Sequence, residues 1–410
     1  MRSSRHAWPA VAAALSAAGW GANQFTPLAV VYRTREGWPT VPVVVMFTMY
    51  LVGLVPGLLL GGAAADRFGR RRVVCLALAA TAAASALLAL APITQQVVYA
   101  SRLTTGAAAG LLLSAATVWL QELCESSGRD GARTAMYATG AGFASGALVG
   151  GVVAEWAPAP MVAPPLLHTA LTTAVLLAAR RVPDTSPAGP PGTPPSRRHR
   201  WGVVLHPRFV LVVLPASPAA FAAATVAYVV LPPLVVDRVH GHAPLFGGLA
   251  AGVTIAMGIA VQPLALRLDS AGSARSTLVA MATVVAGLLV AADAVLRDSA
   301  LTALGAAVVL GAGYGLTLAS GLKEVERLTP DRESSTASSV YQGATHSGFL
   351  TPLLLAVSAG AAPYPALLAG LAALGVLFLA LTARYSRRNL PARPGSTRPA
   401  PHHRTTPHPP

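Results

Sequence analysis

Long uninterrupted runs of apolar residues dominate the chain, and short polar segments separate them. A helix needs about 20 apolar residues to cross the hydrocarbon core of a bilayer, where it satisfies its own backbone hydrogen bonds. Twelve runs have this length, at residues 8–31, 42–61, 73–92, 97–120, 134–155, 161–179, 209–235, 245–266, 276–295, 300–322, 337–361 and 365–383. The pattern predicts an all-α integral membrane protein with twelve transmembrane helices.

The basic residues fall mostly on one side of these spans. Of the 30 lysines and arginines, 25 lie in the first segment, the even-numbered loops and the C-terminal tail, and only four lie in the odd-numbered loops. Because cytoplasmic loops carry the excess of basic residues, both termini are predicted to be cytoplasmic. We expect a multi-pass protein of the cell (plasma or inner) membrane.

Residues 180–208 separate the first six spans from the last six. This segment is rich in proline and arginine, a composition that cannot bury a core, so it is predicted to be a cytoplasmic linker. The chain then divides into an N-terminal six-helix bundle at 1–179, the linker, a C-terminal six-helix bundle at 209–384 and a disordered cytoplasmic tail at 385–410.

Composition excludes several classes of function. Only 11% of the residues are charged, whereas soluble domains have roughly a quarter. The formal charge of +15 is spread in small clusters between the spans, which argues against a nucleic-acid partner. The sequence contains no phosphate-binding loop and no paired carboxylates or clustered histidines at a membrane face, and the histidines of the tail are read as part of a solvated segment, so we expect no enzyme activity, no cofactor and no metal. The expected partners are the lipid bilayer and a small-molecule substrate.

One string after span two combines spaced glycines, a single carboxylate and a run of arginines. Glycines allow another helix to approach closely, a carboxylate at a helix end can cap a neighbouring helix, and arginines hold the loop in the cytoplasm. Its members are Gly53, Gly62, Asp66, Arg67, Gly69, Arg70 and Arg71.

This string resembles the signature of the major facilitator superfamily, G-x8-G-x3-D-R-x-G-R-R, and contains every element of it. The resemblance implies two pseudo-symmetric six-helix bundles and a gating role for Asp66, which would lock the cytoplasmic side against the eleventh helix near residues 334–337. Asp269 and Gly272 repeat the Asp-x-x-Gly spacing 203 residues after Asp66, as a duplicated fold would leave.

Span four carries a second pattern. Arg102, Thr105, Gly106 and Gly110 share one helical face. They resemble the Arg-x-x-Gln-Gly motif of proton-coupled drug exporters, with Thr105 in place of the glutamine. An arginine within a membrane is costly and usually functional, but Arg102 lies close enough to the outer end to snorkel, and both interpretations stay open.

Span five carries a stripe of glycines that is suited to close helix packing. Its members are Gly142, Gly146, Gly150 and Gly151. The stripe resembles the exporter motif G-P-x-x-G-G, with Ala147 in place of the proline, and either an exporter role or plain packing explains it. Helices that can bend, as gating helices must, are predicted at Gly19, Gly21 and Pro27 in span one, Pro232 and Pro233 in span seven, and Gly311, Gly313 and Gly315 in span ten, and tolerated kinks explain these residues equally.

Polar side chains within the spans are the candidates for a substrate or proton pathway, because burying them in lipid is expensive. They are Asn23, Gln24, Arg102, Gln342 and His346. Gln342 and His346 lie four residues apart on one face, and a histidine titrates near physiological pH, although a packing role explains His346 equally well. For His168 a structural role is favoured.

The sequence therefore predicts a monomeric secondary transporter that works by alternating access. The resemblance to the drug:proton antiporters implies proton-coupled export of a hydrophobic or amphipathic small molecule. An importer or facilitator of a metabolite with the same fold is the alternative, and a polytopic membrane enzyme is a more distant one.

Overall fold

The computed structural model describes residues 7–125, 127–185, 203–270, 272–329 and 335–387, and within these ranges it is helical apart from turns and one isolated bridge. Twelve helical regions, α1 to α12, match the twelve predicted spans. They are α1 (Trp8–Asn23 and Phe25–Thr34), α2 (Thr40–Phe68), α3 (Arg70–Leu88), α4 (Gln96–Glu125), α5 (Gly131–Trp156), α6 (Ala163–Ala179), α7 (Phe209–Leu234), α8 (Ala243–Ala260 and Gln262–Leu268), α9 (Arg275–Leu296), α10 (Ala300–Leu328), α11 (Ser335–His346, Ser347–Leu350 and Thr351–Ser358) and α12 (Tyr364–Tyr385).

The all-α membrane fold is confirmed. Nine of the described helices are long and apolar enough to cross a membrane, and α6 is a shorter apolar helix. Several helices extend beyond the predicted spans, and α2 continues seven residues past its predicted end to Phe68. The predicted limits followed the apolar runs, whereas helical hydrogen bonding continues into the polar ends.

Prolines account for the breaks in α1, α8 and α11. A proline ring clashes with the carbonyl four residues before it, and α1 breaks next to Asn23, four residues before Pro27. The breaks at Val261 and at Ser347–Leu350 likewise lie just before Pro263 and Pro352. The α7 helix begins with a π-helical turn at Phe209–Val213, and a second one at Val226–Val230 interrupts the α-helix just before Pro232 and Pro233. The glycines of α10 do not break that helix, which is continuous.

The α2 and α4 helices are packed so closely that only glycine fits at their contacts. A Cβ atom added at Gly53 would overlap the carbonyl oxygen of Leu103, and one added at Gly106 would overlap the carbonyl oxygen of Tyr50. The first glycine of the signature string therefore brings two backbones into contact. Gly62 is different, because its added Cβ would lie 3.5 Å from the Ser114 hydroxyl, an ordinary contact.

The two groups of six helices contact each other through α5 and α8. A Cβ atom at Gly151 would lie 2.8 Å from the Pro244 carbonyl oxygen and 3.1 Å from the Gly248 Cα. The other three glycines of the α5 stripe face α1 instead, and added Cβ atoms on Gly142 and Gly146 would overlap the backbones of Ser16 and Trp20.

The bundle has two ends that differ in structure. The motif end is defined here as the end where Gly69 joins α2 to α3, and the far end as the opposite one, where the α1–α2 and α7–α8 loops lie. Gly69 has φ +92°, a conformation that favours glycine, and the chain reverses there within one residue. On the far-end side a core cluster joins the two halves. It contains residues of both, among them Phe25, Phe47, Tyr228 and Phe349.

Candidate functional site

A cavity lies between the two halves and extends toward the motif end. Its deeper part measures about 280 Å³ and its outer part about 330 Å³, and both are lined by Leu113, Gln342 and His346. The outer part is bounded by Leu59 near the end of α2 and by Ser339 in the first turns of α11, and both of these residues are exposed. A pocket nearer the far end measures only about 20 Å³, enough for about one water molecule.

Aromatic side chains form the walls of the deeper part. They come from α2, α5, α7, α10 and α11: Tyr50, Phe143, Phe221, Tyr228, Tyr314, Tyr341 and Phe349. Phe221 lies near the centre of the group, with its ring centroid 4.5 Å from that of Phe349, 4.7 Å from that of His346 and 5.5 Å from that of Tyr314. Sequence reasoning did not identify these residues. One signal could have found the tyrosines: they lie within the spans, whereas tyrosines of membrane proteins are enriched at the span ends.

The two polar candidates of α11 reach this cavity. Gln342 and His346 line both of its parts, and His346 Nδ1 lies 2.7 Å from the Gln342 carbonyl oxygen. Since that oxygen only accepts, Nδ1 carries the proton in this contact. The His346 ring is also stacked on Phe349, with ring centroids 5.9 Å apart, so it is held by packing while it borders the cavity.

Asn23 and Gln24 lie at the break in α1, and neither side chain lines the cavity. The Asn23 amide donates to the Phe143 carbonyl oxygen at 3.0 Å. Gln24 lies 3.1 Å from the Ser85 hydroxyl and 3.2 Å from His168 Nδ1. His168 is 1% exposed and is held in this cluster, in keeping with the structural role favoured for it.

Arg102 is buried beside the cavity rather than directed to the surface. Its residue exposure is 1%, which excludes the snorkelling interpretation. The guanidinium carbon lies 4.5 Å from the Phe25 ring centroid and 4.9 Å from that of Tyr50, a cavity residue, and Nη1 donates to the Ala22 carbonyl oxygen at 3.2 Å. Among the described residues, Nε and Nη2 have no hydrogen-bond partner.

At the motif end a charge network surrounds the α2–α3 turn. Asp66, which is exposed, pairs with Arg70, and the buried Arg70 guanidinium also donates to Glu122 on α4 at 3.3 Å. The Arg70 backbone N–H donates to Asp184 at 3.1 Å, so the first residues of the predicted linker cap α3. Arg67 stacks on Phe68, and Arg71 is exposed.

The predicted contact of Asp66 with the eleventh helix falls partly outside the described residues, which omit 330–334 and the side chains of 335 and 336. Among the residues that are described, the ion-pair partner of Asp66 is Arg70, within its own motif. The α11 residues Ser338 and Ser339 instead border the cavity.

A second network occupies the equivalent place in the C-terminal half. Asp269 pairs with Arg327, which also donates to Glu324 at 3.0 Å. Glu324 stands 202 positions after Glu122, nearly the same offset as that between the two aspartates.

Arg208 is fully buried and binds both Glu324 oxygens, at 2.7 and 3.0 Å. The sequence indicated the repeat at Asp269, but the Arg208–Glu324 pair was missed because 116 residues separate its members.

At the far end one carboxylate connects the two halves. Glu155 at the end of α5 has a side chain only 7% exposed, and it pairs with Arg35 at 3.5 Å and with His242 Nδ1 at 3.3 Å. Its other oxygen accepts from the Leu245 backbone N–H in the first turn of α8, at 3.4 Å. We call Glu155 and these three partners the far-end latch.

The sequence model of the Major Facilitator Superfamily matches residues 9–352. No curated protein matches the chain. The structure is similar to that of the nucleoside transporter NupG, with a TM-score of 0.74 at 13% identity, covering 93% of this chain and 100% of that one.

Two further solved structures are similar to the chain. A POT family transporter in complex with 5-aminolevulinic acid has a TM-score of 0.74 at 11% identity, with 93% of this chain and 96% of that one covered. A bacterial homologue of the human lysosomal transporter Spinster, in an inward-facing and unoccupied conformation, has a TM-score of 0.65 at 13% identity, with 95% and 94% covered. At these identities the likeness concerns the fold.

Proposed function

The chain belongs to the major facilitator superfamily, and we propose that it is a secondary transporter that exports a hydrophobic or amphipathic small molecule in exchange for protons. The observation that carries this proposal is the cavity between the halves, which extends to the motif end while aromatic packing and the far-end latch close the opposite end. A site that is accessible from one side at a time is what alternating access requires.

The positive-inside distribution of the basic residues supports a cytoplasmic location for the motif end. The conformation described here is then inward-facing. In this state the exposed Asp66 is bound to its own Arg70. In the opposite state, α2 and α11 approach each other, and the carboxylate of Asp66 binds near the N-terminus of α11, where negative charge is favourable.

The cavity lining supports an amphipathic substrate. Large aromatic surfaces are combined with a few neutral polar groups, among them Ser114, Ser338 and Gln342. His346 is the histidine of this lining and is our candidate for the group that exchanges a proton with the cytoplasm. A drug:proton antiporter fits these features, and an importer or facilitator of a metabolite remains the alternative.

Efflux of fluorescent hydrophobic dyes from cells tests the proposal. Wild type, Asp66→Asn and Glu125→Gln are compared at equal expression, with and without a protonophore. Glu125 is the matched control because it is an exposed acidic residue at the end of α4, also on the motif end. We expect wild type and Glu125→Gln to lower dye retention only without the protonophore, and Asp66→Asn to be inactive. Equal efflux by Asp66→Asn contradicts its gating role, and protonophore-insensitive efflux contradicts proton coupling.

A further inference from the structure

The walls of the cavity are suited to a flat aromatic ligand. Phe221, Phe349 and Tyr314 lie at mutual angles rather than in parallel stacks, with interplanar angles of 31° for Phe221–Phe349 and 48° for Phe221–Tyr314. Tyr50 is tilted by 53° against Phe349, with centroids 6.3 Å apart. Rings that converge in this way offer both faces and edges to a bound ring, and aromatic pairs prefer such offset or edge-on contacts.

No carboxylate, arginine or lysine side chain is found among the described residues that line the cavity, and the titratable imidazole there is that of His346. Arg102 contacts this lining, because its guanidinium carbon lies over the ring of Tyr50, 4.9 Å from the ring centroid. None of the ion pairs in the described part of the chain involves Arg102, and its Nε and Nη2 atoms lack partners. A buried charge without a counter-charge is costly, and its field is weakly screened in a medium of low dielectric.

We propose that the cavity selects planar aromatic compounds that carry one negative charge, as aryl carboxylates do. The inference rests on the proposed transport function and specifies its substrate. The aromatic walls bind the ring, and the uncompensated charge of Arg102 attracts the carboxylate across the Tyr50 ring. The charge of Arg102 repels an organic cation of the same shape. The described lining also offers such a cation no carboxylate partner.

Three naphthalene probes of equal ring size test the charge preference: 2-naphthoate, 2-naphthamide and 2-naphthylmethylammonium. Their binding to the purified full-length protein in detergent is measured by isothermal titration calorimetry. We expect 2-naphthoate to bind at least about tenfold more tightly than the ammonium probe, with the amide between them. Equal or tighter binding of the ammonium probe overturns the proposal, and so does the absence of binding by all three.

Three variants assign the preference to the charges of this site. In Arg102→Gln the preference for 2-naphthoate is expected to fall to about the level of the neutral amide, while Arg102→Lys keeps it. Gln342 is exposed in the cavity lining, and Gln342→Glu places a carboxylate there with little change of shape, so it should reverse the order of the anionic and cationic probes. If Arg102→Gln does not fold, Gln342→Glu decides the question. An unchanged preference in folded protein overturns the proposal.

Counterflow in proteoliposomes separates this inference from the transport function on which it rests. Exchange of 2-naphthoate but not of the ammonium probe supports both. Exchange of the ammonium probe alone overturns the anionic substrate and leaves the transporter standing. If no probe is exchanged, the aromatic anion is rejected as the substrate, and dye efflux in wild type and Asp66→Asn tests transport independently.

Discussion

Replacing Glu155 by glutamine removes the negative charge that connects the two halves at the far end while it keeps the shape of the side chain. Arg35 loses its ion-pair partner, His242 loses the carboxylate that its Nδ1 contacts, and the N-terminus of α8 loses a favourable charge. The glutamine oxygen can still accept a hydrogen bond from the Leu245 backbone N–H. The change therefore tests the electrostatic part of the far-end latch.

The geometry of the latch sets the expected magnitude. The Glu155 contacts are long, between 3.3 and 3.5 Å, and the Arg35 and His242 side chains are 35% and 59% exposed, so solvent screens them. Exposed ion pairs contribute about 0.2–1 kcal/mol each, and a charge at a helix terminus contributes about 0.3–1 kcal/mol. We expect a loss of about 1–2 kcal/mol from the far-end-closed state, which raises the population of the open state roughly 5- to 30-fold.

Labelling of a single cysteine measures that population. Val30 is 2% exposed and is packed against Gly247 of α8, so Val30→Cys reacts with a maleimide only when the far end opens. The native Cys75 and Cys124 are first replaced by alanine. When the far end opens and closes faster than the maleimide reacts, the labelling rate reports the population of the open state. The labelling rate of Val30→Cys in the Glu155→Gln background should therefore rise by the same 5- to 30-fold.

The matched control for this experiment is Glu36→Gln. Glu36 is an exposed acidic residue in the α1–α2 loop, also at the far end. Its replacement should leave the labelling rate of Val30→Cys within about twofold of the parent, because an exposed charge outside the latch contributes little. Labelling rates that are equal in Glu155→Gln and Glu36→Gln would refute the assignment of a latch to Glu155.

Two further predictions concern stability, with thermal unfolding of the detergent-purified protein as the measurement. Because Arg208 and Glu324 form a buried pair, Arg208→Met or Glu324→Met alone should destabilise the protein by about 3–5 kcal/mol. The double variant Arg208→Met/Glu324→Met should lose less than the sum of the two single losses, and additive losses contradict this. Gly53→Ala should lower the unfolding temperature, since the added Cβ overlaps the α4 backbone. Gly62→Ala is the control and should not lower it, because its Cβ makes an ordinary contact with Ser114 at 3.5 Å. Equal losses in the two variants would show that Gly53 is not needed for the close approach of α2 and α4.

The sequence by itself determined the twelve spans and the family, because both depend on local patterns. A run of about 20 apolar residues satisfies the requirement for crossing a bilayer wherever it occurs, and the string from Gly53 to Arg71 is contiguous. Irregularities in the helices were also partly predictable, since the rings of Pro27 and Pro232 clash with the carbonyl group four residues earlier and prevent a regular helical hydrogen bond there. The glycines of α10 were misleading, because a glycine allows either a bend or a close contact and only the neighbouring helix decides between them.

Only the tertiary structure decided which residues meet. The cavity walls combine Tyr50, Tyr228, Tyr314 and Phe349, which lie on four helices spread over some 300 residues of sequence, and no local pattern marks them as neighbours. The same holds for the position of the Arg102 guanidinium over the Tyr50 ring. That the cavity extends to one end while the other end is packed is likewise a property of contacts between the halves. If the chain works by the alternating access we propose, one sequence must stabilise two such states by nearly equal free energies, and no local pattern distinguishes them.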